Sequence, residues 1–171
     1  LDLVFCDKKI FEAIESVILK NLEHNTLFFD FLGNDALRKN SPLTFFFFFS
    51  IEEEGPNKNK FDIKTRALMP LIDGARLFAL HFKIKGLNST YLRFKQLAII
   101  DSKNSDIYLN CAEAFLTLSK IRVNEGLKND NSGQYINLSE LSKLDKQKLK
   151  TALAPMKELE ELIKSNFKLT Q

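Results

Sequence analysis

Cysteine is scarce in this chain of 171 residues: only Cys6 and Cys111 occur, and no Cys-x-x-Cys pair. That scarcity argues against a disulfide framework and supplies no thiolate set for a structural zinc, so a reducing cytoplasm is the expected setting. No apolar run approaches the ~18 residues needed to span a bilayer. The longest, Leu43 to Phe49, is too short, and no signal peptide precedes it. Concentrated charge is missing as well. Lys and Arg number 25 against 22 Asp and Glu, a net +3 spread along the chain. A nucleic-acid binder gathers its cations on one face or tail, so neither nucleic acid nor membrane is expected as a partner.

What is present is the composition of one globular domain, 44% hydrophobic and 27% charged. The length suffices to bury a core without covalent staples. The chain opens on Leu1-Asp2-Leu3 rather than on Met, which is expected of a piece of a larger protein.

Helical periodicity dominates. From Asp7 to Leu22, the residues Ile10, Phe11, Ile14, Val17, Ile18 and Leu22 recur at three- and four-residue steps and predict an amphipathic helix. Asn25 or Thr26 can cap a second helix, which Pro42 ends near Asn40. Phe45 to Phe49 have no helical or alternating period and read as a short strand covered on both faces. Gly55-Pro56 marks a turn, after which Phe61-Asp62-Ile63-Lys64 alternates and is expected to pair back on the Phe segment as a hairpin.

A central helix should follow from Ala67 to Phe82, with Pro70 in its first turn. Ser89 or Thr90 then opens a helix to Ile100, with Leu92, Leu97 and Ile100 inward. Ser105 opens another to about Gly126, and Ser139 or Ser142 opens the last helix, Asp145 standing three after Ser142 as an acidic capping-box variant, with a kink expected at Pro155. The fold expected is mainly α: an antiparallel bundle of about six helices with one short β-hairpin.

Three segments resemble one family: Ser41-Pro42-Leu43-Thr44-Phe45-Phe46, Phe61-Asp62-Ile63-Lys64, and Leu68-Met69-Pro70-Leu71-Ile72-Asp73-Gly74-Ala75-Arg76. The likeness continues through Asn88-Ser89-Thr90-Tyr91-Leu92-Arg93, Arg122, Tyr135-Ile136-Asn137 and Leu141-Ser142-Lys143-Leu144. These resemble the putative nucleotidyltransferase substrate-binding domain found at the C-terminus of bacterial proteins. Such proteins often carry cyclic-nucleotide-binding or CBS domains, and their catalytic part is similar to the uridylyltransferases that modify the signalling protein PII. The resemblance implies that residues 1–9 are the remnant of a preceding catalytic domain and that residues 10–171 are the helical substrate-binding domain. It also implies Mg and a nucleoside triphosphate in the catalytic domain, that domain itself as partner, and a nucleotide as substrate.

Nucleotidyl transfer needs carboxylates that hold two divalent ions near the triphosphate. In this superfamily they follow a Gly-Ser loop and an Asp-x-Asp pair, and neither occurs here. No catalytic and no metal-binding residue is therefore assigned, and the isolated chain is expected to be inactive. The candidates for holding substrate are Asp62, Lys64, Arg66, Asp73 and Arg76. Lys64 and Arg76 can meet phosphate oxygens, Arg as a fork and Lys as a point charge. Asp73 and Arg76, three apart on one helix, can instead form a structural ion pair. Arg93 and Arg122 are further phosphate candidates.

Two other readings remain open. Arg76 and His81 have the spacing seen in helical HEPN-type ribonucleases, although residues five apart on a helix do not share a face. The Phe run could instead dock a partner or a second copy of the chain, making a stand-alone interaction or dimerisation module.

Overall fold

A computed structural model describes residues 7–22, 25–38, 49 and 51–169. Seven α-helices lie among them: α1 (Lys8–Leu22), α2 (Thr26–Leu37), α3 (Met69–His81), α4 (Thr90–Ile100), α5 (Ser105–Asn129), α6 (Lys143–Leu153) and α7 (Pro155–Asn166). Two three-residue strands, β1 (Lys60–Asp62) and β2 (Tyr135–Asn137), pair antiparallel. Helices α6 and α7 are the two halves of the single last helix that the periodicity predicts. Pro155 lacks the amide hydrogen that would continue α6, so the rod breaks at Ala154 and restarts with Pro155 in a first turn.

The caps are largely those the sequence offers. The Asn25 side chain accepts the Phe28 amide at 3.0 Å. Ser142 accepts the Asp145 amide at 3.1 Å while its hydroxyl donates to Asp145 Oδ2 at 2.6 Å.

The core is built on α3 and α5. Helix α3 packs against α2, α4 and α7, and α5 packs against α4, α6 and α7. The link between α4 and α5 is a single 3₁₀ turn, Ser102–Asn104, so α5 doubles back along α4. Phe61, Ile63, Leu71, Leu77, Phe78 and Tyr108 are fully buried. The Phe78 ring meets Tyr108 edge-on at 5.5 Å between centroids and tilts against Phe167 at 5.6 Å. The Tyr108 hydroxyl finds its partner in Asp101 Oδ2 at 3.1 Å.

Four points differ from the expectation, the first an added strand partner, since any pairing of Phe45 to Phe48 lies outside the described residues. Strand β1 has β2 as its partner, with Lys60 opposite Asn137, Phe61 opposite Ile136 and Asp62 opposite Tyr135. A three-residue strand more than seventy positions away leaves no periodicity to betray it. The loop between Glu52 and Lys60 does turn back at Gly55-Pro56, for the Glu52 amide donates to the Lys60 carbonyl at 2.9 Å. Phe45 to Phe48 lie outside the described residues. Phe49 is half-buried, its ring 5.5 Å from that of Phe61 and under the Lys150 ammonium.

Helix α1 is the second correction. Its apolar stripe is not all covered: Ile10, Ile14 and Val17 are each at least half exposed, and only Leu19 is buried. The bundle covers one edge of a broad apolar arc. On α4, third, Leu92 and Ile100 face outward while Thr90, Arg93, Phe94, Leu97 and Ala98 are buried. Fourth, α2 ends at Leu37 rather than near Asn40. Leu1 to Cys6 lie outside the described residues, and Lys8 and Lys9 already belong to α1.

Candidate functional site

Ile63 leads into a widened π-helical turn, Lys64–Leu68, that runs without interruption into α3. Four of the five substrate-binding candidates sit on this run, Asp62 stands just before it at the end of β1, and the five separate into two groups. Lys64 and Arg76 are twelve positions apart, roughly 18 Å along the axis at ~1.5 Å per residue, and cannot grip the same phosphate.

At the strand end, Asp62 is buried. One carboxylate oxygen accepts the Thr65 amide at 2.8 Å and the other accepts from the Gln134 side chain at 2.9 Å. Asp62 thus caps the turn and ties it to the residue before β2. Arg66 reaches Glu52 through its Nε at 3.1 Å and a terminal nitrogen at 3.0 Å, both groups half-buried. This pair clasps the 52–60 loop. Lys64 is exposed between them.

At the other end, Asp73 and Arg76 lie 3.7 Å apart as an i, i+3 pair. The Arg76 side chain is 55% exposed and that of Asp73 only 20%. Arg76 opens into a cavity of about 320 Å³ between α1, α3 and the start of α4. Its wall includes Glu15 and Leu19 from α1, Leu80 from α3, Leu87 from the connecting loop and Arg93 from α4. Arg93 is 8% exposed, and its Nε donates to the Leu87 carbonyl at 2.9 Å. One guanidinium is therefore set in a fixed place while the other, loosely held, can move. Both guanidiniums have partners, Arg93 the Leu87 carbonyl and Arg76 the Asp73 carboxylate, and both border this one cavity.

Arg122 lies elsewhere. Its Nε donates to the Ser132 carbonyl at 3.2 Å, and it lines an open cavity of about 510 Å³ with Gly126 and Asp130. His81 is also apart from Arg76. It lines a shallow cavity with Leu22 and Phe29, its ring edge-on to Phe29, Phe82 and Phe167. Burial lowers its pKa, opposed by the Asp101 carboxylate. Arg76 and His81 face different cavities, as a five-residue step dictates. His24 lies outside the described residues.

Among the described residues no three His, Cys, Asp or Glu side chains are grouped to hold a metal ion. No helix among them is long and apolar enough to cross a membrane. Glu15 had no signal in the sequence, where it falls on the polar side of α1. Arg93 had one: it is in phase with Phe94 and Leu97 at the helical step, and a cation in an apolar stripe is an oddity that asks for a reason.

No curated protein and no solved structure matches this chain. A family model does, over residues 26–167, described as a putative nucleotidyltransferase substrate binding domain. The match takes in α2 through α7, both strands, and Arg76 and Arg93, and leaves α1 outside it. On a match of that extent, the chain belongs to the putative nucleotidyltransferase substrate binding domain family.

Proposed function

We propose that this chain is the substrate-holding part of a nucleotidyltransferase whose metal-binding carboxylates lie on a separate domain. The nucleoside triphosphate and Mg ions would be bound chiefly by that catalytic domain. This bundle would contribute walls and positive charge to the cleft. In keeping with the resemblance to uridylyltransferases, the setting is signal transduction in the cytoplasm. The free thiol of buried Cys111 is compatible with reducing conditions.

One observation carries the reading: within a domain of this family, two guanidiniums converge on one cavity, Arg93 fixed and Arg76 reaching solvent. The test is nucleotidyl transfer from labelled nucleoside triphosphate. The 171-residue chain alone should transfer nothing. Joined to a nucleotidyltransferase domain it should support transfer, and Arg76→Ala should lower kcat/KM about tenfold or more, the usual cost of losing a charge-assisted contact. Unchanged kinetics would remove the cavity from the mechanism.

A second reading rests on the exposed apolar residues of α1 and α2, Ile10, Ile14, Val17, Leu27 and Phe31, which would suit a helical dimerisation surface. A dimer seen by light scattering that Val17→Ser dissociates would favour it. A monomer at all concentrations would dismiss it.

A further inference from the structure

We propose that α1 is a hinged strap over the cavity it forms with α3 and α4. It lifts about its C-terminal end while the rest of the fold stays closed, and its position sets access to the cavity. The motion rests on packing alone, and only its consequence, control of a binding cavity, rests on the substrate-holding reading.

The seat of α1 is thin. Of its fifteen residues only Leu19 is buried, with Glu15 and Leu22 half-buried on the same side. Ile10, Ile14 and Val17 lie roughly 100–160° around the helix from Glu15, at ~100° per residue, and are at least half exposed. The helix thus sits on the edge of its apolar arc and turns an acid inward, so its burial stabilises it little. What lies beneath is not packed core but a cavity of about 320 Å³. The side-chain hydrogen bond to the segment after α3 is long and exposed, the Lys85 ammonium donating to the Ser16 hydroxyl at 3.4 Å. Helix α5, by contrast, buries Tyr108, Cys111, Ala112, Ala114 and Leu118 in the core.

The bundle does not need α1 to begin. Asn25 caps α2 through the Phe28 amide, so α2 starts on its own support. The family match likewise opens with α2 and leaves α1 out. A fifteen-residue helix is marginal on its own in water, and a segment with so few buried apolar groups opens far more often than the whole fold unfolds. Closed, α1 walls the cavity and sets the Glu15 carboxylate on the same lining as Arg76 and Arg93. Lifted, it takes both the wall and that negative charge away, leaving an open groove along α3 and α4.

Hydrogen–deuterium exchange of the whole chain tests the motion. Amides of α1 should exchange at least about a hundredfold faster than those of α5, yet at least about fivefold slower than in an unstructured peptide. Urea below the unfolding transition should speed α5 steeply and α1 little, because lifting one helix exposes far less surface than unfolding. Leu19→Ala removes the buried anchor and should speed α1 about tenfold. Ala79→Cys, on the cavity wall and 6% exposed, reports access in a Cys6→Ser/Cys111→Ala background. Its labelling by a thiol reagent should quicken about tenfold when Leu19→Ala is added. Equal protection in α1 and α5, a shared urea slope, free-peptide exchange in α1, or labelling unmoved by Leu19→Ala overturns the proposal. None of these measurements involves a nucleotide, so their failure leaves the substrate-holding reading standing. Transfer kinetics indifferent to Arg76→Ala would remove that reading and leave the strap.

Discussion

Asp62 and Gln134, seventy-two positions apart, are joined by a hydrogen bond of 2.9 Å that fastens the entrance of the central helix to the strand pair. The same carboxylate accepts the Thr65 amide at 2.8 Å, so one buried side chain holds both a helix start and a tertiary crossing. Asp62→Ala should lower unfolding free energy by about 2–3 kcal/mol, since it strands a backbone donor and a side-chain amide. Urea denaturation reads this directly, and a change below about 0.5 kcal/mol would show that Asp62 is not a structural residue.

Gly133 tests how closely the 130–134 loop is pressed on α5. It adopts a φ of +63°, and a β-carbon there would run into the Arg122 carbonyl and the Gly126 amide. Gly55 has a similar φ of +76° but open space around it. Gly55→Ala should cost only the left-handed backbone penalty of about 1 kcal/mol, and Gly133→Ala about 3 kcal/mol or more. Equal costs in thermal melts would mean that the loop yields without resistance.

Cys111 should make stability fall on the alkaline side. Burial, with the Glu158 charge adding, pushes its thiol up from 9.0 to about 12. A raised folded pKa means that the contribution of the buried thiol is complete below pH 9 and is lost progressively as pH rises from 9 to about 12. Tyr108 acts in the same direction from pH 10 upward, its phenol raised by burial and by Asp101. In a Cys6→Ser background, unfolding free energy should decline between pH 9 and 10, and Cys111→Ala should flatten that decline. A slope identical in both would assign the effect to other groups.

Lys64 and Arg76 should act independently. Their separation of roughly 18 Å along one helical run is beyond the ~7–10 Å within which substitutions couple. In the transfer assay, the Lys64→Ala/Arg76→Ala double variant should show the sum of the single effects within about 0.5 kcal/mol. A larger coupling energy would mean that both side chains meet one ligand.

The helices were legible because their periodicity and caps agree: Asn25, Ser142 and Pro155 each act where the sequence marks them. On α4 the reading failed because Arg93 occupies an inward position. A charge interrupts the apolar stripe of Thr90, Arg93, Phe94, Leu97 and Ala98, while Leu92 and Ile100, apolar but outward, share the helical period of Leu97 only in part. The β1 partner was illegible because a three-residue strand has too few positions to alternate. The cavity was legible only in part. Arg76 carried a signal from its neighbours in sequence, but Glu15 and the Leu87 carbonyl acquire meaning only when three separate elements meet.

The π-helical turn at Lys64–Leu68 has an outcome for length variation among related chains. A π turn accommodates one residue more than an α turn over nearly the same path. A homologue shorter by one residue there could close the gap with an ordinary turn, and everything downstream would keep its bearing. Single-residue insertions and deletions at this point would thus be absorbed before they reach Asp73 and Arg76, which insulates the cavity from drift in the strand that feeds it.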